Sequence, residues 1–378
     1  MTHRTPLWQK RSRPLLLALA LTVAVAGCAR PYVLEDLGMI LTGGYDLSKD
    51  GKLLVTITMP DISENGGNQT LTLTSKGDLS KEARENIGLA TDRQIVSGQM
   101  RVAVFSEELA RKGIWRVLDT LMRDVNITKT LVLCVSEGKA SDLLKNKVPT
   151  RPSSGRYLYE LLKKSQKNYA VPKTSIQDFE RLYLDQGSDP MIPLVKLENK
   201  VIVAAGTALF HNDKYVGSIS PEETKMMLLL RGTGEGGDIK QTLHTKGRDG
   251  INDQVMLTFV RTKHKLKVEM KNNRPHLIYD VKVSGQIIEY SGDDDLTDDK
   301  VRKNVESQIQ AGLTSRMKDL IDQFQNKFHV DPLGMGTHIK AAALYKQPWT
   351  EDLWRSVYEK ADIDVNFKLK IIRTGIIR

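Results

Sequence analysis

The first 28 residues divide this chain into a leader and a body, and that division limits what the body can fold into. Residues 1–13 carry Arg4, Lys10, Arg11 and Arg13 with no acidic residue, and Leu15 to Ala26 is apolar or small apart from Thr22. The apolar run is about a dozen residues long, whereas a spanning helix needs ~20. A basic start, a short apolar centre and small residues at the end make an export signal. Its ending, Val25-Ala26-Gly27-Cys28, is the pattern of a lipoprotein signal, in which the Cys sulfur takes a diacylglyceryl group and the chain is cut just before it. Residues 1–27 are therefore expected to be removed and Cys28 to be lipidated, with its freed amine open to a further acyl group. One acyl chain binds a membrane marginally and two hold firmly, so the lipid on Cys28 is expected to keep the body on the outer face of a membrane.

That body, 28–378, has to fold on packing alone. If Cys28 is acylated, Cys134 has no partner and no intramolecular disulfide can form. Cys134 lies in the strand-like run Thr130-Leu-Val-Leu-Cys-Val135, where a free Cys acts as a small buried hydrophobe. About 350 residues exceed what one core usually holds, which predicts two or three domains. Removing the leader lowers the formal charge from +10 to +6, a surplus suited to anionic lipid and too thin to argue for nucleic acid. The densest basic run, Arg261-Thr-Lys263-His264-Lys265-Leu-Lys267, lacks interleaved aromatics and reads as a solvated strand face.

Periodicity predicts a mixed α/β (α+β) architecture. Strands at 37–59 (a hairpin turning at Asp50-Gly51), 69–75, 100–105 and 130–136 alternate with helices at 78–91, from Ser106 to Val125, and at 138–146. This half is expected to be a mixed sheet with flanking helices, over 28–190. Helices near 156–166 and 174–186 follow, the second with Thr174 as its cap. Residues 191–240 read as a small middle unit of short strands, then a helix opened by Ser220-Pro221-Glu-Glu223. Over 241–378, strands at 251–260, 264–270 and 276–290 precede a long helix at 297–328, a shorter one at 350–359 and a strand at 361–373. An antiparallel sheet packed by the long helix is the natural reading.

No constellation argues for catalysis. Gly232-Thr-Gly234-Glu-Gly-Gly237 has the letters of a dinucleotide fingerprint, but a helix precedes it and an extended segment follows, the reverse of what pyrophosphate binding needs. A calcium loop starting at Asp295 would need Gly where Lys300 stands; acidic residues at a helix N-terminus explain the run. The seven His are scattered and form no zinc spacing. Ser153-Ser154-Gly155 has no base paired with it in sequence. No enzyme activity, metal or cofactor is expected.

Several segments together resemble the Ger(x)C family, the lipoprotein C subunits of the receptors through which bacterial spores sense germinants. They are Ser97 to Glu107 with its continuation to Asp124, Gly206-Thr-Ala-Leu-Phe210 with Lys214 to Thr224, Val283 to Glu289, Asp331-Pro-Leu-Gly334-Met-Gly336, and Trp349 to Trp354. The chain departs from the family pattern after the lipidated Cys, where Ala29-Arg30-Pro31 replaces a common Trp-Asp, and at Pro332. The resemblance implies a three-domain α/β body on the outer face of the spore inner membrane. It also implies work alongside A- and B-type multi-pass receptor subunits, with no catalysis and no known ligand residues. A lipid-anchored solute-binding protein feeding a transporter is the alternative; it would show two similar lobes around a cleft.

Overall fold

In the computed structural model, the described residues are 36–61, 70–146, 154–234, 237–246, 251–272, 274–342, 344–345 and 348–374. The expected leader 1–27 and Cys28 lie outside them. The N-terminal part runs β1 (Leu37–Met39), β2 (Thr42–Leu47), β3 (Leu53–Pro60), β4 (Thr70–Gly77), α1 (Ser80–Gly88) and β5 (Gln94–Val96). It continues through β6 (Val102–Ser106), α2 (Glu107–Lys112), α3 (Trp115–Arg123), β7 (Val132–Ser136), α4 (Ala140–Lys145), α5 (Ser154–Lys167) and α6 (Ile176–Leu184). Three strands close it: β8 (Met191–Glu198), β9 (Val201–His211) and β10 (Lys214–Ile219).

Eight of these strands form one sheet in the order β10-β9-β8-β7-β6-β2-β3-β4. Its centre, β2-β6-β7-β8, is parallel, and both flanks are antiparallel. Parallel strands covered on both faces are buried at every position, and every residue of β6 and β7 is buried. On one face Ile87, Leu118 and Phe179 from α1, α3 and α6 pack with Phe105 and Leu133. On the other, Leu144 of α4 and Leu158 of α5 pack with Val104 and Cys134. Cys134 is a free, buried thiol whose pKa is raised by that burial.

Local expectations shift in instructive ways. The strands of 191–219 do not stand as a sheet of their own, because Val135 pairs with Leu194 and joins them to the N-terminal sheet. The single helix expected from Ser106 to Val125 is two. Gly113 breaks it at φ 121, and an added Cβ there would lie 2.6 Å from the Asp213 carboxylate. Asp213, in the β9–β10 turn, takes the Trp115 N–H at 3.1 Å. The chain then leaves α3 at Asp124, so Val125, expected on the apolar face, is 96 % exposed. The α6 cap is Ser175 with Asp178 in the reciprocal position, one residue later than expected.

The C-terminal part holds α7 (Pro221–Leu230), β11 (Asp238–Lys246), β12 (Asn252–Lys271), β13 (Arg274–Tyr290), α8 (Asp299–Asp322) and a π-helical turn (Gln323–Phe328). After it come α9 (Met335–Ala341), α10 (Glu351–Tyr358) and β14 (Asp362–Arg373). The sheet order is β11-β12-β13-β14. Two expected strands are one, β12, whose register shifts between Phe259 and Arg261. The bulge flips the side-chain alternation: buried residues are odd-numbered up to Phe259, and the exposed ones are odd-numbered from Arg261. The first three strands are antiparallel as expected, but β14 runs parallel to β13. The reason is α8, whose length provides the crossover that a parallel neighbour requires. Its buried stripe, Val305, Ile309, Leu313, Met317, Leu320 and Ile321, covers one face of this sheet.

Candidate functional site

Cys28, the one functional residue singled out in the sequence, is not among the described residues, so the geometry bears on the other segments. Two of them, Asp331–Gly336 and Trp349–Trp354, meet the stretch before β8 where the two sheets join. Asp189 lies just before β8 and is 2 % exposed at its side chain. Arg355 of α10 grips it with two hydrogen bonds, 2.6 and 2.7 Å long. Asp331 follows the π-helical turn, and its backbone N–H donates to the Asp189 carboxylate at 2.7 Å. The Asp189 N–H donates back to the Asp331 carbonyl at 2.9 Å. Asp331 in turn accepts the Gly336 N–H at 2.9 Å. Thr337 N–H reaches the Gly187 carbonyl at 2.9 Å, and Trp349 Nε1 reaches the Gln186 carbonyl at 2.5 Å.

The glycines of this junction are there for close approach. A Cβ on Gly336 would lie 2.1 Å from Trp354 Nε1, and one on Gly187 would lie 2.4 Å from the Thr337 nitrogen. The segments Asp331–Gly336 and Trp349–Trp354, 13 or more positions apart in sequence, thus close on Asp185–Pro190 as one lock. Asp331 is buried, which pushes its pKa up to about 7; donations from Gly336 and Met335 oppose the rise and the nearby Asp189 charge adds to it. The Arg231 guanidinium donates to the Pro332 carbonyl beside it. Asp331 Oδ1, Ser188 Oγ and Trp354 Nε1 have no hydrogen-bond partner among the described residues. Sequence reading missed Asp189 because its role appears only against Arg355, 166 positions away.

The other segments take structural parts. In Gly206–Phe210, Gly206 adopts φ 114, and an added Cβ would lie 2.1 Å from the Ile219 carbonyl. Thr207 and Thr224 share a buried 2.8 Å hydrogen bond that ties β9 to α7. Ser220 caps α7 with Glu223 in the reciprocal position. Ser154 Oγ donates to the Leu144 carbonyl at 2.7 Å in a buried setting, which makes it a structural hydroxyl. The acidic run serves the α8 terminus: Asp298 accepts from the Lys300 and Val301 N–H groups, and Asp295 from Thr297. Gly232 and Gly234 sit between α7 and β11, helix first and strand second.

A cleft of ≈ 610 Å³ between α5, α6 and α7 is lined by Lys163, Lys173, Arg181, Arg231 and Tyr169. The two larger sheets of the described residues, one of eight strands and one of four, are not two similar lobes. On the outward face of that smaller sheet, Lys263, Lys282 and Lys368 are cross-strand neighbours in one row.

Comparison with known proteins agrees with this architecture. Residues 31–197 match the family described as "Spore germination protein N-terminal domain", and residues 205–375 match "Spore germination B3/ GerAC like, C-terminal". The "Spore germination protein GerQC" of Bacillus cereus is 24% identical over 361 residues, covering 96% of this chain and 98% of that one. The "Spore germination protein KC" of Bacillus subtilis (strain 168) is 23% identical over 395 residues, covering 96% and 95%. The crystal structure of the GerBC protein shares the fold, with a TM-score of 0.54 at 19% identity, and covers 90% of this chain and 100% of that one. From the strand-helix alternation of its first half to the lock at Asp331–Gly336, the chain belongs to the Ger(x)C family of spore germination proteins.

Proposed function

We propose that this protein is a non-catalytic C subunit of a nutrient germinant receptor. Diacylglycerol on Cys28 holds it to the outer face of the spore inner membrane, where it works by contact with A- and B-type multi-pass subunits. The observation that carries the reading is the extent of the family match, which starts at residue 31, three positions after Cys28, and ends at residue 375. The body after Cys28 is thus germination-family sequence over 31–197 and 205–375. The Asp189–Arg355–Asp331 lock supports an interaction role, since it makes both sheets one platform whose outward faces keep a fixed relation.

The test is genetic. Deleting the gene is expected to block germination by one group of nutrients while growth and sporulation continue. Cys28→Ala is expected to lose ~90% or more of that response, because a body without two buried acyl chains leaves the membrane. Normal germination of the Cys28→Ala spores with every nutrient, in a strain lacking related receptors, overturns the reading.

A further inference from the structure

Which face of the body meets the lipid can be read from the root of the tether. β1 is the first described strand after Cys28. It pairs in parallel with β5, Leu37 opposite Gln94 and Met39 opposite Val96, and the Ile40 N–H donates to the Val96 carbonyl at 3.0 Å. This two-stranded ribbon stands apart from the large sheet and forms a wall of a groove of ≈ 1430 Å³. Nine residue steps run from Cys28 to Leu37. Even fully extended they span only about 30 Å, so with its lipid in the bilayer the β1–β5 ribbon stays within that distance of the membrane, nearer to it than the tether allows the far parts of the body to be held.

The groove carries side chains that water does not explain. Among the described residues, the two most exposed large hydrophobics are Val125 at 96 % and Leu89 at 88 %. Both line this groove, together with Leu37 and Ile95. Leu89 follows the last turn of α1, and Val125 follows the end of α3, so each sits at a tip from which it can enter a soft phase. Single exposed hydrophobics are ordinary; the coincidence of the two largest on one rim, at the tether's root, is not. Lys81 is exposed on the same rim. Arg84, Arg93 and Arg123 each already hold a carboxylate, those of Asp124, Asp61 and Asp119, so the apolar tips carry the argument more than charge does.

We infer that the β1–β5 groove is the membrane-docking face of this protein, with Leu89 and Val125 entering the interface between headgroups and acyl chains. This rests on the lipid at Cys28. It fixes the orientation of the tether's root: the groove faces lipid. Interfacial burial of apolar side chains is how monotopic proteins add to a lipid anchor.

The experiment uses the full-length lipoprotein reconstituted in phosphatidylcholine/phosphatidylglycerol vesicles. Leu89→Cys, Val125→Cys and Lys265→Cys are each labelled with an environment-sensitive fluorophore; Cys134 is buried and an acylated Cys28 does not react. Nitroxide lipids are expected to quench the labels at 89 and 125 several-fold more than the label at 265. Unquenched labels at 89 and 125, in protein that still partitions into Triton X-114, overturn the docking face and leave the anchor standing. Labels there that become shielded only when multi-pass subunits are added overturn it in favour of a protein partner. Failure to partition into the detergent phase sinks the anchor itself, and this face with it.

Discussion

Asp46, 1 % exposed at the end of β2, accepts the Ala140 N–H at 2.7 Å and the Ser141 N–H at 2.9 Å. It caps α4 from 94 positions away, satisfying donors that the helix cannot satisfy itself. Burial pushes its pKa up and those two donations pull against it. Asp46→Ala leaves two buried N–H groups without acceptors and is expected to cost about 2–3 kcal/mol; Asp46→Asn, which keeps an acceptor, costs less. Denaturant unfolding measures both, and equal losses count against capping as the cause. Asp331 gives a pH signature. Its folded pKa of about 7 lies above the ordinary 3.8, so the native state holds the proton more tightly than the unfolded chain. Its contribution is therefore full below about pH 4 and is lost as pH rises through about 7. Asp331→Asn is expected to remove that fall from the stability–pH profile, and an unchanged slope argues against it. Neither role is written in the local sequence, where Asp46 falls in the 37–59 hairpin and Asp331 only opens the segment Asp331-Pro-Leu-Gly334.

Among elements, the clearest tension is in β12, β13 and β14. Lys282 lies between Lys263 and Lys368 across the strands, and Arg261 and Lys370 flank the same shallow surface. Like charges directly opposite destabilise a sheet. Lys282→Glu turns two repulsions into attractions and is expected to stabilise the protein by about 0.5–1 kcal/mol, read as a higher midpoint in urea at low salt that shrinks as salt rises. A midpoint that falls or stays fixed means the lysines already avoid one another. The basic run was legible in sequence as a strand face, but its two like-charged neighbours were not, since register is a tertiary fact. The same holds for α2 and α3. Apolar spacing continues through Gly113, and the break comes from the Asp213 side chain of a distant turn.

At the scale of the molecule, the Asp189–Arg355 pair joins the two sheets through a buried charge. Arg355→Ala leaves Asp189 without its counter-charge, which in a buried setting costs about 3–5 kcal/mol. Calorimetry is expected to show one melt for the native protein and two for the variant, as the halves lose their lock; one unbroken transition at a slightly lower temperature means the apolar contacts alone couple them. The sequence by itself determined the α/β rhythm of the first half, the long helix of the last third and the family, and it alone carries the proposal of a leader ending at Cys28. Each of these follows from local composition, from a short period or from ordered segments. Only the tertiary structure decided that 191–219 extends the first sheet, that β14 runs parallel, and that Asp189, Asp331 and Arg355 meet. It also decided that Leu89 and Val125 share one groove. The physical reason is the same throughout: hydrogen-bond register, crossover direction and the pairing of buried charge depend on residues that the chain brings together only when it closes.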